Sequence, residues 1–251
     1  MGAPTVTAKA ARLAASQPAF YTRTGDLSGD LIALLHPPYT AWHLSYVAYG
    51  AALAPRLDWL ILTGTLLAFF FGTGIAAHAL DEWHGHPLGT HLSSRTLIAI
   101  AGIGLAGSGG VALIGVPAVS PWVLAWAAVG TLLMAGYTLE WHRALHSDVG
   151  FALAWGAFPV LVGYWAQAGR IDIAALLVAL AATLLSLAQR ALSTSARTVR
   201  RKTVDATVQF GGAAGLAGWG REQLLDTWEG PLKLLTAFVV TLAAGLLAMR
   251  I

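Results

Sequence analysis

The chain contains no cysteine and few charged residues. Without cysteine it can form neither disulfide bonds nor thiolate metal sites, so a bound metal would need imidazole, carboxylate, carbonyl or water ligands. Only 11% of its 251 residues are charged and 57% are hydrophobic, whereas soluble domains carry about 25% charged residues. This shortfall indicates an all-α, polytopic membrane protein.

The N-terminal region lacks a continuous apolar stretch, so no cleaved signal peptide is expected there. We interpret residues 1–27 as a cytoplasmic tail and residues 28–251 as one transmembrane helical domain. The net charge of +3 is modest, and the basic residues fit topology signals better than a nucleic-acid surface.

Seven apolar stretches approach the length of about 20 residues that a helix needs to cross a bilayer. They are residues 38–54, 57–80, 96–117, 120–141, 149–168, 171–192 and 231–249. Residues 193–230 are basic at first and then rich in glycine, which predicts a long cytoplasmic loop with a short surface helix or a re-entrant piece.

The distribution of basic residues predicts the orientation. With the N-terminus in the cytoplasm of a bacterial-type inner membrane, 12 of the 15 lysines and arginines lie inside and 3 lie outside, in agreement with the positive-inside rule. The three outside are Arg56, Arg170 and Arg250. This topology brings the loops after the second and fourth spans, and the start of the first span, to the same side.

All 8 histidines precede residue 147, and most lie at the ends of predicted spans. They form three groups, at His36 and His43, at His78–His91, and at His142 and His146. The predicted topology places all three groups at the cytoplasmic level. Ionisable side chains in or beside a bilayer are costly and usually mark a functional site.

The spacing of these residues suggests a metal site. His78, Glu82 and His86 would form one stripe if the second helix continues through Gly85, and the last two histidines repeat the i, i+4 spacing. Bundle cores build di-metal sites from such inward-facing groups. The predicted metal ligands are His43, His78, Glu82, His86, His142 and His146, and the predicted catalytic residues, which would orient ligands or transfer protons, are Asp81 and Glu140.

Two other interpretations of these polar residues stay open. Glu82 or Glu140 could pair with Arg143 in a buried polar network that needs no metal. The basic run after the sixth span could anchor the chain to anionic lipid, or it could bind the phosphate or diphosphate head group of a substrate. The substrate-binding candidates in that run are Arg197, Arg200, Arg201 and Lys202.

Three motifs resemble the UbiA superfamily of intramembrane prenyltransferases. Leu35-His36-Pro37-Pro38 is similar to the arginine–proline entry of the family's first helix. The sequence His86-Pro87-Leu88-Gly89-Thr90-His91-Leu92-Ser93 looks like its arginine–proline–leucine loop. The stretch 155–169 looks like its fifth helix.

The resemblance implies a UbiA-like helical bundle in which two aspartate-rich motifs hold magnesium and a prenyl diphosphate. The three positions of the first motif fall on His78, Glu82 and His86, so imidazole replaces most of the oxygen ligands. The region of the second motif, 189–205, has no paired aspartates. Magnesium prefers oxygen ligands, whereas a histidine-rich site favours a transition metal such as iron or zinc.

The sequence therefore predicts a membrane metalloenzyme that acts on a hydrophobic lipid or isoprenoid, by oxidation with iron or by hydrolysis with zinc. A divergent prenyltransferase that uses magnesium and a prenyl diphosphate is the first alternative. The second alternative is a protein that binds haem, quinone or metal without catalysis, with His78 and His142 as axial haem ligands.

Overall fold

The structure is a computed structural model that describes residues 18–22, 25–203, 206–212 and 215–251. The described part folds almost entirely into helices. In chain order they are α1 (Leu27–Leu34), α2 (Pro37–Leu53), α3 (Trp59–Gly85), α4 (Ser94–Gly115), α5 (Trp122–Thr138), α6 (Asp148–Ala168), α7 (Ile173–Lys202) and α8 (Arg221–Ala248), with a hairpin of β1 (Val208–Gly212) and β2 (Gly215–Trp219) before α8.

Each predicted span coincides with one helix, but the count of seven spans is not confirmed. Five helices, α3, α4, α6, α7 and α8, are long and apolar enough to cross a membrane. The helices α2 and α5 have 17 residues each, which is about 25 Å against a hydrocarbon core of about 30 Å. The architecture is that of an all-α membrane protein.

Local sequence explains where the helices begin. The side chain of Asp58 accepts hydrogen bonds from the amides of Leu60 and Ile61 at 2.8 and 3.1 Å, which caps α3. Asp172 caps α7 in the same way. Two prolines open α2, where their missing amide hydrogens leave no helix bond unmade.

Two of the spanning helices contain π-helical segments. Residues Phe70–Ala77 of α3 and Leu153–Ala157 of α6 adopt this wider winding. The second segment ends two residues before Pro159, which has no amide hydrogen to give to a regular helix bond. Both segments lie next to histidines, because the carbonyls of Gly74 and Trp155 accept hydrogen bonds from His78 and His43, and π-helical turns often occur at functional sites.

The centre of the bundle is α2, which packs along α6 and also against α8. Glycine lets α2 and α6 approach closely, because a Cβ added to Gly50 would lie 2.0 Å from the Val160 carbonyl oxygen and one added to Gly163 would lie 2.2 Å from the Val47 carbonyl oxygen. Small residues serve this purpose at helix contacts inside membranes. The outer faces of the helices expose large apolar side chains, as a lipid-facing surface does.

Residues 193–230 differ from the predicted loop. Helix α7 continues to Lys202, because the first ten residues of this segment contain neither glycine nor proline and include Arg200, which forms an ion pair with Glu229 of α8. The glycine-rich part forms an antiparallel hairpin in the register Val208 to Trp219. Hairpin pairing uses backbone groups, so it can form despite the scarcity of side chains. Residues 204–205 and 213–214, and residues 1–17 and 23–24 of the predicted tail, lie outside the described residues.

Candidate functional site

Polar side chains from several elements meet at the end of the bundle where α2 begins and α7 ends. We call this group the polar cluster. Its members are Tyr21, His36, Tyr39, His43, His78, Asp81, His146, Gln189, Ser193, Arg197 and Arg201. The contacts that define it are hydrogen bonds, ring contacts and electrostatic interactions between these residues.

Three histidines of the polar cluster bond to backbone carbonyls. The Nδ1 atoms of His43, His78 and His146 lie 2.9, 3.2 and 2.9 Å from the carbonyl oxygens of Trp155, Gly74 and Tyr137, respectively. A carbonyl can only accept a hydrogen bond, so Nδ1 must carry the proton in each ring. In their neutral forms His43 and His146 therefore present an unprotonated Nε2, which can accept a proton or bind a metal, whereas His78 also forms a hydrogen bond with the backbone of Leu35.

A fourth imidazole, His36, stacks on His78 with ring centroids 4.3 Å apart. Its backbone is left-handed, with φ of 44°, a conformation that costs energy for any residue except glycine. The Nε2 atom of His36 is buried and has no hydrogen-bond partner among the described residues. Burial lowers the pKa of His36 well below its ordinary value, and the neighbouring His78 and arginines act in the same direction. His36 is therefore neutral at pH 7.

The cationic side of the polar cluster comes from α7. Arg197 and Arg201 are one helical turn apart, and both interact electrostatically with Asp81 of α3. Arg197 donates a hydrogen bond to Thr194 at 3.1 Å, and Arg201 donates one to the Pro18 carbonyl oxygen at 3.3 Å. In the described part of the chain neither guanidinium has a carboxylate oxygen within 4.0 Å, so both retain capacity for an anion.

Glu82 has a structural role in the loop after α3. Its side chain is buried and accepts hydrogen bonds from the amides of Leu88 and Thr90, both at 2.8 Å, and from the Thr90 hydroxyl at 2.9 Å. The exposed His86 adds a contact of 2.8 Å to the same carboxylate. The two oxygens of Glu82 are thus already occupied in holding the loop after α3.

The predicted stripe through His86 is not present. Helix α3 ends at Gly85, and His86 takes a left-handed conformation with φ of 51°. The following Pro87 disfavours a helical conformation at this position, and Glu82 draws the loop back toward the helix. The expectation that His86 continues the His78 face of the helix was therefore wrong.

The predicted pair His142 and His146 also differs from the structure. Helix α5 ends at Thr138, and residues 139–147 form turns, so the two imidazoles do not lie on one helix face. His142 is exposed, and its Nδ1 accepts a bond of 3.2 Å from the Ala144 amide. Glu140 is exposed beside His146, with its carboxylate 3.5 Å from the imidazole Nε2.

The basic run divides between three environments. Arg197 and Arg201 face the polar cluster, whereas Arg200 forms a two-pronged ion pair with the buried Glu229 of α8. Lys202 is exposed. Arg200 thus links α7 to α8 instead of adding its charge to the polar cluster.

The predicted site residues did not include Tyr21, Tyr39 and Gln189, which belong to the polar cluster. Tyr21 donates or accepts a hydrogen bond of 2.7 Å with His36 Nδ1, and Tyr39 interacts with Gln189 and Ser193. A signal for α7 was present, because polar residues recur every four positions along one face of that helix. The face consists of Gln189, Ser193, Arg197 and Arg201.

Comparison with protein-family models, with curated proteins and with solved structures finds no match to this chain. The resemblance to the UbiA superfamily therefore stays a prediction that rests on the three motifs.

The predicted metal ligands do not converge on one point. Within the described ranges no three histidine or carboxylate side chains are placed to hold one ion. Glu82 is occupied by its loop, and His86 and His142 are exposed. A site for iron, zinc or magnesium thus stays a prediction.

An apolar cavity of about 480 Å³ lies between α3, α4, α5 and α6. Met134 and Trp155 line its inner end, and both also pack against Tyr137. The backbone oxygen of the same Trp155 accepts the hydrogen bond from His43. The cavity and the polar cluster are therefore neighbours that meet at Trp155.

Proposed function

We propose that this protein is an intramembrane enzyme that acts on a membrane lipid or isoprenoid with an anionic head group, and that the polar cluster is its site. The observation that carries the proposal is the meeting of Arg197 and Arg201 with Asp81 and several imidazoles inside one end of an apolar bundle. Charged side chains in such surroundings are costly and usually serve a function.

The two arginines supply the binding element. A guanidinium can form two parallel hydrogen bonds with a phosphate group, and these charge-assisted bonds are stronger than bonds to neutral oxygen. Among the described residues, Arg201 bonds a neutral carbonyl, at Pro18, and Arg197 bonds the neutral hydroxyl of Thr194. An anionic head group would be a stronger partner for both.

The imidazoles and Asp81 supply groups for proton transfer. His43 and His146 each hold Nδ1–H in a hydrogen bond to a backbone carbonyl, which fixes the ring and leaves Nε2 as the basic nitrogen. Fixed imidazoles and carboxylates are the usual general acids and bases of enzymes. Asp81 interacts with both His146 and the arginines, so it can balance charge when a proton moves.

The neighbouring cavity accounts for the apolar part of the ligand. Its lining is dominated by side chains such as Leu67, Leu105, Met134 and Phe158. A hydrocarbon chain in this cavity would stay in contact with apolar groups while its head reaches past Trp155 toward the polar cluster. This arrangement favours an amphipathic ligand over a small soluble one.

The proposal is tested by binding of farnesyl diphosphate to the protein in nanodiscs, with farnesol as the uncharged counterpart. We expect the diphosphate to bind and farnesol to bind at least tenfold more weakly, since each charge-assisted bond contributes about 1.5–3 kcal/mol. The double variant Arg197→Ala/Arg201→Ala should lose at least tenfold in affinity. The exposed Arg143, changed to Ala, is the matched control.

Equal affinity of the double variant and the wild-type protein would contradict the proposal, as would equal binding of farnesol. A binding step that needs magnesium would favour the prenyltransferase alternative. Elemental analysis of the same preparations, with the double variant His78→Ala/His142→Ala beside them, tests the predicted iron or zinc independently of lipid binding.

A further inference from the structure

The residues that precede α1 lie against the polar cluster. Residues 18–22, which we call the N-terminal strap, touch three helices. Tyr21 meets His36 at the start of α2, the Pro18 carbonyl meets Arg201 of α7, and the Phe20 ring lies 5.2 Å from the Lys233 ammonium of α8. The strap thus bridges the space between these helices at the end where the arginines point.

The strap has its own compact conformation. The Thr22 side chain is buried, its hydroxyl donates to the Ala19 carbonyl at 2.8 Å, and the Ala19 amide donates back to it at 3.2 Å. The backbone bond from Thr22 to Ala19 closes the turn. A turn that satisfies its own polar groups can dock and undock as a unit.

The bonds between strap and polar cluster are replaceable. Arg201 gives its Nε hydrogen to a neutral carbonyl, and a guanidinium binds an anion more strongly than a neutral oxygen. The Tyr21 hydroxyl also lies within electrostatic range of Arg197, Arg201 and Asp81. The strap therefore occupies Arg201, one of the two cationic groups that an anionic head group would use.

We propose that the N-terminal strap is an autoinhibitory closure of the polar cluster, and that an anionic lipid head group releases it by taking Arg201 from the Pro18 carbonyl. This inference rests on the proposed function for its ligand. Tyr21 is the positioning residue of the closure, because its hydroxyl joins the strap to His36.

Because the chain contains no cysteine, one introduced thiol can report directly on the strap. An Ala19→Cys reporter carries one thiol at a half-buried position of the strap, so a rise in its rate of reaction with a maleimide in nanodiscs reports opening of the strap. Adding Tyr21→Phe should raise the rate about tenfold, because the bond to His36 is lost. Tyr164→Phe is the matched control, since it removes a tyrosine hydroxyl bonded to Asp172 at the opposite end of α7.

Saturating farnesyl diphosphate should also raise the rate for the reporter protein by about the same factor. If the diphosphate binds but the rate does not change, the closure is wrong while the proposed function stands. If Tyr21→Phe and Tyr164→Phe react equally fast, the strap does not close through Tyr21. If Tyr21→Phe reacts faster but the diphosphate does not bind, the proposed function fails and ligand-driven release fails with it.

Discussion

At the scale of single residues, Glu82 shows how a candidate ligand can be a structural group. Replacing Glu82 with Gln keeps the size of the side chain but turns one acceptor oxygen into an amide donor that faces the backbone hydrogens of Leu88 and Thr90. A buried donor without an acceptor costs about 1–3 kcal/mol. We expect Glu82→Gln to destabilise the protein by about 2 kcal/mol in unfolding by sodium dodecyl sulfate, measured by circular dichroism.

The exposed Glu222, changed to Gln, is the control for this measurement and should alter the stability by less than about 0.5 kcal/mol. An unchanged midpoint for Glu82→Gln would mean that the loop after α3 is held by other contacts. A Glu82→Gln protein that is stable but no longer binds metal would support the prediction that Glu82 is a metal ligand. The two roles are thus separable at one position.

At the scale of the elements, the contact between α2 and α6 depends on two glycines. An alanine at Gly163 would put its Cβ 2.2 Å from the Val47 carbonyl oxygen, and backbone on the facing helix cannot rotate away as a side chain can. We expect Gly163→Ala to separate the helices and to destabilise the protein by about 1–3 kcal/mol, as overpacking does. The loss would appear as a lower midpoint of thermal unfolding in detergent.

Gly102 of α4 is the matched control, because a Cβ there would meet no atom within 4 Å. Alanine favours a helix over glycine by about 0.5–1 kcal/mol, so Gly102→Ala should leave the midpoint unchanged or raise it. A Gly163→Ala protein as stable as the wild type would show that α2 and α6 can move apart at no cost.

Periodicity and apolar length predicted where the helices lie, but not how they end. Each apolar stretch became a helix, because burying backbone groups in a membrane requires it. The end of α3 at Gly85 depends on bonds from Glu82 to loop amides, which leave no trace in a pattern of side chains. The extension of α7 to Lys202 depends in part on Glu229, which is 27 residues further along the chain.

The candidate site was predictable in part for the same reason. The sequence predicted that His43, His78 and Asp81 lie at one level of the membrane, because the topology brings those helix ends together. In the structure these residues all belong to the polar cluster. It could not show that α5 ends at Thr138, which turns His142 outward. It also gave no reason to fold residues 18–22 back onto α2 and α7.

At the scale of the whole molecule, the two ends of the bundle are chemically different. The polar cluster, its histidines and its arginines lie at one end, whereas the other end has the helix-capping carboxylates Asp58 and Asp172. The apolar cavity runs from that second end toward the polar cluster, since both Leu60 and Met134 line it. A ligand from the bilayer would therefore place its chain in the cavity and its head at the histidine-rich end.

The predicted orientation puts the histidine-rich end in the cytoplasm, and single thiols can test it because the chain has no cysteine. Ala144 lies in the turns after α5 and Ala118 lies in the connection between α4 and α5, and both are exposed. A membrane-impermeant maleimide added to intact cells should label Ala118→Cys and leave Ala144→Cys unlabelled. In inverted vesicles the pattern should reverse. Labelling of Ala144→Cys alone in intact cells would place the polar cluster on the outer side and would contradict the predicted orientation.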